Sequence, residues 1–155
     1  MADHEIHILL AEDDLDDCLF FKEALAELPI TTRLTTVPNG EKLMQWLNET
    51  ELLPDILFLD LNMPRKNGYT CLLEIKQSEK LKRLPVITLS TSFEDELVNL
   101  VYKNGAQYYI RKPNNFFQLK HLILSAIKLA AQINSGQPAK ENFVISQESV
   151  HDEKK

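Results

Sequence analysis

Three short apolar runs constrain this chain more than anything else in it: IHILLA at 6–11, ILFLD at 56–60 and VITLS at 86–90. Each is far too short to span a membrane and too evenly apolar for a strand with one wet face. Such a strand needs cover on both sides, as the central strands of a parallel sheet have. The intervening segments can supply it. Leu15, Cys18, Leu19, Leu25 and Leu28 recur at helical spacing and stop at Pro29. Leu43, Trp46 and Leu47 mark a second helix over 41–48, and a third runs over 69–78. A fourth, over 93–104, ends at Gly105, a good C-terminal cap. The fifth is a long amphipathic helix over 115–133. Its core stripe is Phe116, Leu119, Ile123, Ala126, Ile127 and Ala130, broadened to one side by Phe117 and Leu124.

Two further strands, at 31–37 and 108–112, are less apolar; Arg33, Gln107 and Arg111 suit them to sheet edges. Strand and helix thus alternate five times, the pattern of βαβ units. The expected fold is α/β, a flavodoxin-like, doubly wound, five-stranded parallel sheet of order 2-1-3-4-5 with five helices.

A chain of 155 residues suits one domain with a single sizeable core. A net charge of −6 weighs against nucleic acid as a partner. Cys18 and Cys71 have neither disulfide nor zinc spacing and read as buried thiols of a reducing compartment. The start, MADHEIHILLAEDD, has no basic region and no long apolar run, so neither a signal peptide nor a membrane span is expected and the cytoplasm is the default location. The domain is expected over 1–133. Residues 134–155 are polar apart from the island Phe143, Val144, Ile145, and are expected to form a disordered tail.

In an open parallel sheet, ligands gather beyond the C-terminal ends of the strands. Glu12 and Asp13 follow the first strand; Asp60 ends the third, with Asn62 beyond; Ser90 and Thr91 end the fourth; Lys112 and Pro113 end the fifth. Singly, each has an ordinary structural role: Asp14 caps a helix, Asp16 and Asp17 suit a first helical turn, and Ser90 and Asp60 suit turns. Jointly they form one polar edge. Three close carboxylates are costly to ionise together without a cation, and an oxygen-rich cluster suits Mg²⁺. Mg²⁺ and Lys112 together would neutralise an incoming phosphoryl group, for which a carboxylate is a competent nucleophile.

These residues resemble the receiver domain of two-component response regulators. The resemblance rests on AEDD after the first strand, LDLNMPRKNG around the third, PVITLSTS at the fourth and GAQYYIRKP at the fifth, and spans 6–133. It implies that Asp60 is the phosphoacceptor. It implies that Glu12 and Asp13 are the acidic pair, with Asp13, Asp60 and the backbone carbonyl of Asn62 on Mg²⁺. It makes Ser90 the switch hydroxyl, Lys112 the phosphoryl contact, and Tyr109 the aromatic switch that turns inward. Pro64 and Gly68 match the loop after the acceptor, and the Lys112–Pro113 bond is often cis in the family. Glu12 and Ser90 stand where Asp and Thr are more frequent. Thr91 replaces a smaller residue, which predicts narrower access.

The resemblance implies a single-domain regulator that takes a phosphoryl group from a sensor histidine kinase or phosphotransfer protein and signals to a downstream protein by contact. It catalyses only its own phosphorylation and dephosphorylation. The face of the fourth helix, fifth strand and fifth helix would change on phosphorylation, and is the surface for a partner or a homodimer. LSTSFEDE and the lack of an output domain are similar to small regulators paired with phytochrome-type kinases. Three rival readings stand beside this one. A phosphohydrolase with an aspartyl nucleophile usually has a second Asp where Asn62 stands, and an amide cannot protonate a leaving group. A flavodoxin-type cofactor binder needs a phosphate cradle, and no GxGxxG or P-loop is present. A degenerate receiver serving only as an interaction module fits poorly with the complete acid set.

Overall fold

The computed structural model describes residues 5–63, 66–92, 94–132 and 137–146, without the side chains of 131 and 132. Strands and helices alternate along the chain: β1 (Ile6–Ala11), α1 (Leu15–Glu27), β2 (Thr32–Val37), α2 (Gly40–Glu49), β3 (Ile56–Asp60), α3 (Gly68–Gln77), β4 (Val86–Ser90), α4 (Asp95–Lys103), β5 (Tyr108–Arg111), α5 (Phe116–Gln132). A short 3₁₀ turn (Lys140–Asn142) and β6 (Val144–Ile145) follow. All strand pairs are parallel, in the order β2-β1-β3-β4-β5-β6.

The expected five-stranded sheet therefore has six strands. The sixth comes from the apolar island in the polar C-terminal segment: Tyr109 pairs with Val144 and Ile110 with Ile145. Two residues give too weak a periodic signal to mark a strand by sequence. Beside β5, however, they meet an open ladder. That also moves β5 from the edge to the interior, leaving β2 and β6 outermost.

The alternation of side chains along each strand divides the core in two. Leu9, Leu57, Leu59, Val86 and Tyr109 face one way, against α2, α3 and α4. Ile8, Leu10, Phe58, Ile87, Leu89 and Ile110 face the other, against α1 and α5. Helices on both faces are what such strands require, β3 and β4 being buried at every position and β1 at all but its first. Four helices start where a side chain accepts a first-turn N–H: Asp14 from Asp17, Asn39 from Lys42, Asn67 from Thr70, and Asn115 from Phe117 and Gln118. After α4, Gly105 has φ 100, a conformation open to glycine.

α1 departs from its expected stripe. Of that stripe Leu25 and Leu28 are buried and Cys18 packs on the core, but Leu15 and Leu19 are exposed, as is Phe20, while Phe21 and Ala24 are buried. The helix is rotated because its packing on the sheet and α5 is set by Phe21, whose ring meets that of Phe58 in β3 edge-on at 5.0 Å. In α5, Leu124 packs on the core and Phe117 does not, at 64% exposed. The expected start of the fourth helix at 93 and the matched Pro64 lie outside the described residues.

Candidate functional site

Sheet geometry brings the strand ends together. Glu12 follows β1, Asp60 ends β3 and Lys112 follows β5; Glu12 and Asp60 are buried. By strand alternation all three lie on the face of α1 and α5. The Lys112 Nζ lies 2.9 Å from Glu12 Oε1, 3.4 Å from Asp60 Oδ2 and 3.4 Å from Asp17 Oδ2. One cation therefore serves three carboxylates. Asp60 Oδ1 accepts the Asn62 N–H at 2.9 Å, which fixes the carboxylate's rotation. Glu12 Oε2 accepts the Asp14 N–H at 3.3 Å.

Gly68 is required by this construction. A Cβ there would lie 2.3 Å from the carbonyl oxygen of Asp60 and 2.7 Å from the Leu61 Cα. Only a residue without a side chain lets the start of α3 close on the strand end that carries Asp60.

Electrostatically the site holds an excess of negative charge. Burial, reinforced by the hydrogen bond and charge of Asp60, pushes the Glu12 carboxyl up to about 8, against the pull of Lys112. Burial alone would lower the Lys112 ammonium; Asp60, Glu12 and Asp17 outweigh it and raise it well above an ordinary lysine. Glu12, Asp13 and Asp60 each offer one carboxylate oxygen, all within 4.8 Å of one another, with Asp13 exposed and the other two buried. Clustered oxygens with one member open to water suit a hard divalent cation, which keeps some of its waters. The donor set thus fits Mg²⁺.

Ser90 is fully buried and, by alternation, lies on the opposite face of the sheet, towards α4. Its Oγ accepts the Ser92 N–H at 3.0 Å, and the Lys112 N–H donates to its carbonyl at 2.9 Å. Tyr109 lies on that same face, fully buried, with its hydroxyl donating to the Ser92 carbonyl at 3.0 Å. So the acid set and Lys112 meet directly, while Ser90 and Tyr109 are joined to one another through Ser92. Thr91 is exposed. Among the described residues no peptide bond is cis, the Lys112–Pro113 bond included.

Two features of the site go beyond its predicted residues. Asp17, read as a first-turn acid, also reaches Lys112; nothing in the sequence shows that the first turn of α1 faces the end of β5. A cavity of about 240 Å³ opens beside the acids, lined by Glu12, Asp17, Phe20, Lys112, Asn115 and Phe116, among others. Its apolar wall, Phe20 and Phe116, depends on the rotation of α1.

Residues 8–124 match the family model of the response regulator receiver domain. The chain is 34% identical over 121 residues to response regulator Rcp1 of Synechocystis, covering 75% of this chain and 82% of Rcp1. Its structure resembles the crystal structure of the phosphorylated cyanobacterial phytochrome response regulator RcpA, with TM-score 0.75 and 33% identity, covering 88% of this chain and 100% of that one. It also resembles the Mn²⁺-bound form of Rcp1, with TM-score 0.72 and 31% identity, covering 86% and 99%. The chain belongs to the response regulator receiver family of two-component signalling. Its flavodoxin-like α/β fold is that of the family, here with six parallel strands. No helix among the described residues is long and apolar enough to cross a membrane.

Proposed function

We propose that this chain is a response regulator receiver that accepts a phosphoryl group on Asp60 from a histidine kinase or phosphotransfer protein, in a Mg²⁺-dependent reaction, and signals by protein contact. The observation that carries this is the placing of Asp60. It is a buried carboxylate at the end of a rigid central strand, 3.4 Å from Lys112 and in one oxygen cluster with Glu12 and Asp13. Glu12, Asp13, Asp60 and the Asn62 carbonyl would hold the cation, which would supply positive charge against the carboxylates and the incoming phosphoryl oxygens.

An Asp60 oxygen attacks the phosphorus of the donor. The bond from phosphorus to the imidazole nitrogen breaks, and its electron pair stays on that nitrogen. The product is an acyl phosphate. Asn62 orients the acceptor through its N–H, and Lys112 turns from its carboxylates to a phosphoryl oxygen. Ser90 then donates its hydroxyl proton towards the phosphoryl group while its Oγ goes on accepting the Ser92 N–H, which tightens the loop that joins them. That change passes to Tyr109 and to the face of α4, β5 and α5, the surface for a downstream partner or a second copy. The likeness to RcpA supports a phytochrome-type kinase as donor. The acidic chain and its motifs support a cytoplasmic setting without nucleic acid.

Intact-protein mass spectrometry after incubation with acetyl phosphate tests this reading. Wild type gains one phosphoryl mass only with Mg²⁺ present, and Asp60→Asn gains none. A wild type left unmodified by both acetyl phosphate and a phosphorylated kinase domain would return the chain to an interaction module.

A further inference from the structure

Residues 137–146 lie as a strap along β5 and α4. Gln137 Nε2 donates to the carbonyls of Tyr102 and Ala106 at 2.5 and 2.6 Å, and the Tyr102 hydroxyl donates to the Pro138 carbonyl at 2.8 Å. The 3₁₀ turn then lowers Phe143 into the core, where it is 0% exposed. Its ring stands edge-on to Tyr102 at 4.8 Å and tilted to Tyr109 at 6.4 Å. The Tyr109 N–H donates to the Phe143 carbonyl at 3.1 Å.

Tyr109 is thereby held from both sides. Its hydroxyl is tied to the Ser92 carbonyl, and the Ser92 N–H is tied to the Ser90 hydroxyl. On its other flank stand Phe143 and Val144, along the side of β5 that an edge strand would leave open. An uninterrupted run of contacts joins Phe143, Tyr109, Ser92 and Ser90, and Ser90 sits one residue beyond Leu89, the β4 partner of Asp60.

We propose that the strap positions the switch: Phe143 holds the Tyr109 ring inward and, through Ser92, steadies the loop that carries Ser90. This deepens the proposed function and rests on it. The strap and a phosphoryl group on Asp60 favour the same arrangement of Tyr109 and Ser90, so each strengthens the other. Such coupling is reciprocal. A plain structural role, covering the edge of β5, predicts that losing the strap lowers stability and leaves affinity at Asp60 unchanged.

The full chain decides this, with beryllofluoride plus Mg²⁺ as the phosphoryl probe. Hydrogen exchange followed by mass spectrometry should show amides of 143–146 protected about fivefold or more on adding the probe, the lower end of ordinary coupling. Probe affinity should fall by a similar factor in Phe143→Ala and recover in Phe143→Leu. Gln137→Ala, which removes two hydrogen bonds and leaves the core filled, should weaken probe binding in the same direction if Phe143→Ala does not fold. Without probe, tetranitromethane should nitrate Tyr109 faster in both weakened variants than in wild type. Unchanged probe affinity in the folded variants, with strap exchange indifferent to the probe, would reduce the strap to an edge cover. A wild type that binds no probe overturns the phosphoacceptor reading and the coupling with it. The nitration comparison then reports separately whether the strap restrains Tyr109.

Discussion

At the scale of single residues, two positions carry sharp expectations. Gly68→Ala puts a methyl group into the backbone of Asp60 and Leu61, which cannot yield as a side-chain tip would. Forced repacking of this kind costs about 1–3 kcal/mol. Urea unfolding should show that loss, and phosphorylation by acetyl phosphate should slow as Asp60 is displaced. His7, in β1, is buried with its Nε2 2.9 Å from the Thr35 hydroxyl. Burial, aided by Arg33, holds its imidazole below the usual 6.5. In the unfolded chain His7 takes a proton near 6.5, whereas the folded chain resists until a lower pH, so the unfolded state binds more protons in that interval. The contribution of His7 to stability is full above about 6.5 and is lost as pH falls towards its lower folded value. Unfolding free energy measured at pH 7.5 and 5.5 should drop more in wild type than in His7→Gln.

At the scale of elements, α1 is the most informative. Leu15 and Leu19 are 79% and 56% exposed, Phe20 is 50% exposed, and Phe20 lines the cavity beside Glu12 and Lys112. Exposed apolar side chains close together on one helix, one of them on the wall of a charged cavity, mark a contact surface better than scattered ones do. A protein donor must present its phosphohistidine at this mouth, whereas acetyl phosphate needs no such footing. Leu19→Ser with Phe20→Ser should therefore slow transfer from a phosphorylated kinase domain by tenfold or more, since losing over about 1.4 kcal/mol of contact is tenfold. Its rate with acetyl phosphate should stay within about twofold of wild type, as followed by intact mass. The core stripe of α5 was legible because nearly every member packs inward; the facing of the first turns of α1 was not, because Leu15 and Leu19 continue the stripe of Cys18 and Leu25 on paper as well as Phe21 and Ala24 do.

At the scale of the whole molecule, the C-terminal segment completes the sheet. Phe143, at the end of the 3₁₀ turn, joins the core on the α4 side and Ile145, in β6, the core on the α5 side, so this short segment seals both layers at the flank of β5. Burying side chains of this size contributes about 1.5–3 kcal/mol each. A chain ending at residue 136 should unfold at a temperature several degrees lower in calorimetry, while keeping one cooperative transition. An unchanged midpoint would mean that the segment is not held against β5 in solution.

The alternation of apolar strands and amphipathic helices, and the polar residues at the strand ends, are local properties, so the sequence alone determined the fold class, the first five strands in their order and the polar edge around Asp60. Strand ends of a parallel sheet must meet, whatever the details of packing. What the tertiary structure decided depends on contacts distant in sequence. The reach of Asp17 to Lys112 spans 95 residues, and the choice of buried face on α1 is made by Phe58 and α5. The strand of Val144 and Ile145 forms because an unpaired ladder on β5 and a gap between Tyr102 and Tyr109 are there to receive it. Three apolar residues in a polar segment have no periodicity of their own; their structure is supplied by the surface on which they dock.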